Sequence, residues 1–230
     1  DNSPTVVNVE PGFRVVHIDA GSTSLTKEEL PGVVGLFTDS VAKKLRADST
    51  FDGLLANYWL SGLVGHQLKH QMNLPLITTF HTLARIKADT GDSEPQKRID
   101  AETEVIGCSD VILASSFEEA RQLVDHYGAE ELRIEVVPPG VDHMRFSPGS
   151  QLKARQNLGL GSDPMLMFVG RLQPLKGVDV AITALKSLNR SDVQLAVVGG
   201  PSGLDGLAEQ KRIKHLVNSL NLQGQVIFVP

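Results

Sequence analysis

The feature that most constrains this chain is an alternation. Short apolar, β-branched runs are separated by stretches with helical periodicity. The runs at Phe13–Ile18, Gly53–Ala56, Leu76–Phe80, Val111–Ala114, Ile134–Val137, Leu166–Val169, Leu195–Val198 and Val226–Val229 read as strands. Several are continuously apolar, as strands buried on both faces of a parallel sheet are. Between them, Val33–Ala47 carries Val33, Val34, Phe37, Val41 and Leu45 at close to helical spacing. Leu60–Met72, Gln96–Gly107, Phe117–Tyr127, Gln151–Leu158, Val178–Leu188 and Leu207–Leu220 follow the same pattern, and Gly128 and Gly159 are suited to stop helices. Strand–helix alternation of this kind predicts an α/β, doubly wound fold.

The Pro- and Gly-rich segment from Pro138 to Gly149 separates two such series. It predicts a Rossmann-like domain over residues 1–147 and a second over 148–230. The second holds only three strands and three helices, so it reads as incomplete, and both ends of the chain read as cut. The 230 residues carry a net charge of −5, which argues against nucleic acid or an anionic membrane as the main partner. No apolar run reaches the length of a membrane span. The one cysteine, Cys108, allows no disulfide within the chain, which fits a cytoplasmic location. By itself Cys108 reads as a small buried hydrophobe. A homodimer is compatible with all of this.

The sharpest local signal is the stretch from Met167 to Gly177, MFVGRLQPLKG. A strand ends near Gly170 and a helix starts near Gly177. Ligands of α/β sheets bind beyond the carboxyl ends of strands. Gly170 allows close backbone approach, Arg171 offers a planar, always-charged fork for phosphate oxygens, and Lys176 adds a second cation. The helix N-terminus supplies further donors. Spacing alone leaves a phosphate site and a pair of solvated surface cations equally open.

This loop resembles that of retaining glycosyltransferases of family 4, which have the GT-B fold. The likeness runs along essentially the whole chain. VVPPGVD with Phe146 is similar to the interdomain linker of those enzymes. Lys27-Glu28-Glu29-Leu30-Pro31, Tyr58-Trp59-Leu60-Ser61-Gly62, His81-Thr82-Leu83-Ala84 and Gly199-Gly200-Pro201-Ser202-Gly203 resemble the subgroup that glycosylates inositol phosphate at the start of mycothiol biosynthesis. The resemblance implies that Gly170, Arg171 and Lys176 bind the donor diphosphate, with both cations steadying the leaving nucleoside diphosphate. It implies that His81 contacts the transferred sugar. It assigns the acceptor phosphate to Lys27, Tyr58, Thr82 and Arg98. Two cations and two hydroxyls suit a dianionic phosphate. The implied substrates are a nucleotide sugar, UDP-GlcNAc, and a phosphorylated polyol or sugar, with no cofactor and no essential metal.

Departures accompany the likeness. The family's Gly-rich loop after its first strand and its later Glu–x7–Glu segment are absent from these 230 residues, so the chain is expected to be inactive alone. Where the subgroup has a histidine before Tyr58, this chain has Leu55-Ala56-Asn57. Arg98 lies in the run QKRIDAETE, which by itself reads as a solvated helix face. His66 and His70 stand at i and i+4, but without the Glu of H-E-x-x-H they predict no metal site. The other readings left open are a sucrose-phosphate synthase or glycolipid hexosyltransferase of the same family, a nucleotide-sugar epimerase, and a non-catalytic binding module.

Overall fold

The computed structural model describes residues 5–48, 51–89, 94–203 and 205–229. The chain divides into two compact units, Asp1–Val141 and Asp142–Pro230.

The first unit opens with β1 (Val6–Glu10) and β2 (Phe13–Val16), paired antiparallel in a two-stranded sheet of their own. This corrects the reading of Phe13–Ile18 as a strand of the parallel series. Pro11 and Gly12 turn the chain straight back, and a two-residue connection can join only antiparallel neighbours. A 3₁₀ turn, Leu30–Val33, leads into α1 (Val34–Ala47). Then follow β3 (Leu54–Asn57), α2 (Trp59–Met72), β4 (Leu76–Thr79), α3 (Ala84–Asp89), α4 (Gln96–Cys108), β5 (Val111–Ala114), α5 (Phe117–Tyr127) and β6 (Ile134–Val136). Strands β3 to β6 form one parallel sheet in sequence order.

The main core of this unit joins Trp59 and Val105 to Phe80, Ile112, Ala114, Leu123 and Tyr127. A second cluster, Val34, Ala42, Val64 and Leu68, joins α1 to α2. Helix α2 closes tightly on its neighbours because it carries glycine at the contacts. A Cβ on Gly62 would meet Val105 Cγ1 at 2.8 Å, and one on Gly65 would meet Leu76 Cδ1 at 2.6 Å. Helix α5 is fixed at both ends by local chemistry. Ser116 Oγ accepts from the Glu119 amide, and Gly128 turns the chain out with φ of 66°.

The second unit contains α6 (Gln151–Asn157), β7 (Met165–Val169), a 3₁₀ turn at Pro174–Lys176, α7 (Val178–Leu188), β8 (Gln194–Val198), α8 (Gly206–Ser219) and β9 (Val226–Val229). Its three strands are parallel in the order β7-β8-β9. Leu195, Val197 and Val226 pack on Val178, Ile182, Leu185, Ile213 and Val217 of α7 and α8. The expectation of strands buried on both faces fails at the edges. Leu55 of β3 and Met167 and Val169 of β7, both edge strands of their sheets, are exposed.

Candidate functional site

Two residues at the carboxyl ends of adjacent parallel strands have left-handed backbones. Tyr58, just after β3, has φ 79° and ψ 153°, a region that is essentially glycine's own. His81, just after β4, has φ 59°. Both are tied in place. The Tyr58 amide donates to Thr79 O at 2.7 Å, and its carbonyl accepts from the Gly62 amide in the first turn of α2. The Nε2–H of His81 donates to Asn57 Oδ1 at 2.5 Å. That contact fixes the tautomer and leaves Nδ1 as an acceptor. Asn57 stands where the sequence departs from the family pattern, so the departure supplies the partner of His81. Strain held at neighbouring strand ends, where α/β folds bind ligands, marks this corner as a candidate site.

Arg98 lies behind that corner and is buried at 4% exposure, which overturns the solvated-face reading of its helical run. Its Nε donates to Glu102 Oε1 at 2.8 Å and its Nη1 to Glu94 Oε2 at 3.0 Å. Its Nη2 donates to the carbonyl and the hydroxyl oxygen of Thr82, each at 3.1 Å. The guanidinium also stands over the rings of Tyr58 and Trp59, 5.5 and 5.9 Å from their centroids. Glu102 is fully buried. Its Oε2 accepts from the Ala84 amide at 2.8 Å and from the Tyr127 hydroxyl at 2.5 Å. Lys87 is the second cation on Glu94.

The charges in this network cancel: Arg98 and Lys87 against Glu94 and Glu102. Burial works against charge on Arg98, but Glu102 and Glu94 hold its pKa above the ordinary value. Burial would raise Glu94, and the hydrogen bond and charge of Lys87 with those of Arg98 outweigh it, leaving the carboxyl below its ordinary value. Burial, with Glu102 accepting its proton, pushes the Tyr127 hydroxyl well above the usual phenol range. Sequence reasoning missed Glu94, Glu102 and Tyr127. The signal was present in the four-residue spacing of Glu94, Arg98 and Glu102, the last two on one face of α4 and Glu94 just before its start.

The structure therefore brings together three of the four residues assigned to the acceptor phosphate: Tyr58, Thr82 and Arg98. Lys27 is exposed, and among the described residues no hydrogen bond or ion pair joins it to that cluster. It rides on a turn braced by Glu29, whose Oε2 accepts from the Thr26 amide and hydroxyl at 2.8 Å each.

In the second unit, β7 runs out at Val169 and the Gly170 amide donates to Val198 O at 3.0 Å. The loop then lies against the segment after β8. The Leu172 amide donates to Gly200 O, Gln173 Nε2 donates to Ser202 O, and the Leu172 side chain is fully buried. Gly199 has φ 130°, and a Cβ there would stand 2.1 Å from Gly170 O. The backbones touch, and only glycine fits. Arg171 and Lys176 project from this anchored loop and are exposed. Among the described residues neither side chain makes a hydrogen bond or ion pair. Below the loop, Arg212 of α8 ties Asp179 of α7, at 3.0 Å, to Glu209.

The match to known proteins follows the same two-part division. Residues 10–145 match the family described as Glycosyltransferase Family 4, and residues 150–230 match Glycosyl transferases group 1. The chain belongs to glycosyltransferase family 4. A D-inositol 3-phosphate glycosyltransferase of Geodermatophilus obscurus is 40% identical over 241 residues, which is 99% of this chain and 53% of that protein. One of Acidothermus cellulolyticus is also 40% identical, over 99% of this chain and 54% of its own length. The chain thus spans about half the length of these curated relatives. Among solved structures, a sucrose-phosphate synthase of Thermosynechococcus elongatus superposes with a TM-score of 0.84 at 29% identity, covering 99% of this chain and 57% of the other. Anabaena HepE, in complex with UDP and glucose, superposes with a TM-score of 0.69 at 21% identity, over 86% and 53% of the two chains, a likeness of fold. The GT-B glycosyltransferase fold implied by the sequence is the fold of this family 4 chain. Among the described residues no helix is long and apolar enough to cross a membrane.

Proposed function

We propose that this chain carries the acceptor unit and the leading part of the donor unit of a retaining glycosyltransferase. The transferred group is a hexosyl unit, N-acetylglucosaminyl from UDP-GlcNAc, and the acceptor is an inositol phosphate. The observation that carries the acceptor side is the convergence of Tyr58, Thr82 and Arg98 at the carboxyl ends of β3 and β4. The 40% identity to inositol phosphate glycosyltransferases supports the same reading.

The geometry assigns unequal roles within that set. Arg98 has spent most of its donors on Glu94, Glu102 and Thr82, so it is a positioning residue. By donating to the Thr82 hydroxyl oxygen it leaves the Thr82 O–H turned to donate elsewhere, onto a phosphate oxygen. Lys27, whose side chain has no partner among the described residues, then supplies the positive charge. On the donor side, the side chains of Arg171 and Lys176 have no partner among the described residues and take the diphosphate. Fixed cations there favour the transition state as charge develops on the leaving group. Retention proceeds by front-face attack, the donor phosphate taking the acceptor proton, and no step calls for a metal. His81, with its tautomer set by Asn57, orients the transferred sugar.

The test uses a full-length relative altered at the positions matching Lys27 and Arg98. Lys27→Ala is expected to raise the acceptor KM at least tenfold with kcat little changed. Unchanged acceptor KM in both variants sinks the phosphate-pocket assignment. A second acceptor reading, a sugar phosphate giving sucrose phosphate, is favoured by the full-chain superposition on sucrose-phosphate synthase. Product analysis with each acceptor in turn separates the two.

A further inference from the structure

A cluster of ligand-type side chains lies at the other end of the same helices. His66 and His70 occupy one face of α2. Cys108, the last residue of α4, reaches that face. It is half-buried, not the fully buried hydrophobe expected. One ligand atom from each of the three lies within 4.8 Å of the others. Cys108 Sγ is 3.3 Å from His70 Nε2, and the two imidazoles meet edge-on with centroids 4.8 Å apart. Ligands about 2.0–2.3 Å from a tetrahedral ion stand about 3.3–3.8 Å from one another. The Cys108–His70 pair already stands at that spacing, and the three ligand atoms, all within 4.8 Å of one another, close to it by an inward shift of about 1 Å.

His66 adds an independent observation. Its Nε2 is 3.3 Å from Glu104 Oε1 on α4. Its Nδ1 is buried and, among the described residues, makes no hydrogen bond. A buried nitrogen left unpaired costs about 1–3 kcal/mol. One ring nitrogen on a carboxylate and the other bare is how histidine is held when it ligates a metal.

We infer that His66, His70 and Cys108 bind one borderline-soft divalent cation of the Zn²⁺ type, pinning the end of α4 to α2. Two imidazoles and a thiolate complete three positions of a tetrahedron, and the exposed side at His70 leaves the fourth to water. Binding displaces the Cys108 thiol proton to solvent. Arg98 near the start of α4 touches Trp59 at the start of α2, and their later parts meet through Cys108 and His70, so the two helices run side by side in the same direction. The cation sits about 15 Å along α2 from Tyr58. It fixes the register of the pair that carries Tyr58 and Arg98, and takes no part in the transfer.

The test is a Co²⁺ titration of the reduced, metal-free chain. One equivalent is expected to bring up a near-ultraviolet sulfur-to-cobalt band and tetrahedral visible bands, which Zn²⁺ abolishes by displacement. Zn²⁺ is also expected to raise the Tm. Cys108→Ser is expected to lose the charge-transfer band, and both it and His70→Gln to bind Zn²⁺ at least tenfold more weakly. Gln67→Ala, at an exposed neighbour, keeps the wild-type behaviour. Absence of a one-to-one charge-transfer band in the wild-type chain overturns the proposal, whether or not the variants fold. Zn²⁺ affinity unchanged in Cys108→Ser and His70→Gln overturns it too.

Discussion

The two units hold their candidate-site arginines, Arg98 and Arg171, in opposite ways. Arg98 is buried, and its charge is consumed by Glu94 and Glu102. Arg171 is exposed and, among the described residues, unpaired, while the backbone beneath it is locked by the contact of Gly199 with Gly170. In the first unit a side-chain network is rigid and positions a hydroxyl. In the second the backbone is rigid and the side chains stay available. A charge that binds a ligand has to be left unspent by the fold, so under the proposed roles burial and saturation go with the supporting arginine, Arg98, and exposure on a fixed loop with the gripping one, Arg171.

The largest effect is expected where this contrast is broken from the buried side. Glu102→Ala leaves the Arg98 Nε–H, the Tyr127 hydroxyl and the Ala84 amide without their acceptor. Breaking a buried pair in this way costs about 3–5 kcal/mol, read as a fall in the urea midpoint. Glu102→Gln, which keeps the shape and loses the charge, should recover part of that loss. A comparable effect is expected from Gly199→Ala. A strained φ combined with a backbone clash should cost about 3 kcal/mol and displace the Arg171 loop. The same substitution at Gly200, where a Cβ meets nothing within 4 Å, should stay within about 0.5 kcal/mol.

A smaller effect on stability, with a large one on function, is expected for Arg171→Ala and Lys176→Ala. Neither should move the midpoint by more than about 0.5 kcal/mol. At the matching positions of a full-length relative, each should lower kcat about a hundredfold. If instead they unfold the second unit and spare turnover, the contrast between gripping and supporting arginines is wrong.

The smallest effect concerns pH. The folded-state pKa of Glu94 is held below its ordinary value. Its contribution is therefore fully present above the ordinary carboxylate pKa and is lost as pH falls through the depressed one. The stability difference between wild type and Glu94→Gln, about 1 kcal/mol near neutrality, should shrink as urea unfolding is repeated at progressively lower pH below about 4. A gap that stays constant there would assign the effect of Glu94 to packing.

Much of the second unit was legible because its signals are local. The run Leu195–Val198 is flanked by helical patterns, and the observed β8 and α7 follow them within a residue. The hairpin was missed although Pro11-Gly12 marks its turn, since Phe13–Ile18 alone reads like the other strand candidates. The resemblance assigned Arg98 to the acceptor phosphate, while the sequence around it misjudged its environment. A charged run on α4 looks solvated until the chain brings Thr82, Tyr127 and Trp59 over it, and those contacts are long-range. The approach of Cys108 to His66 and His70 was beyond reach for the same reason: spacing along one helix says nothing of what a second helix brings.

Tyr58 carries a further consequence. Its backbone is held on one side by Thr79 and on the other by the first turn of α2, so its costly conformation persists only while both neighbours are in place. If β4 frays, the residue is free to swing to a relaxed backbone, and its ring leaves the Arg98 face. The backbone conformation of Tyr58 is thus tied to the pairing of β3 with β4. A chain in which this corner is formed has, by that fact, completed the pairing of β3 with β4.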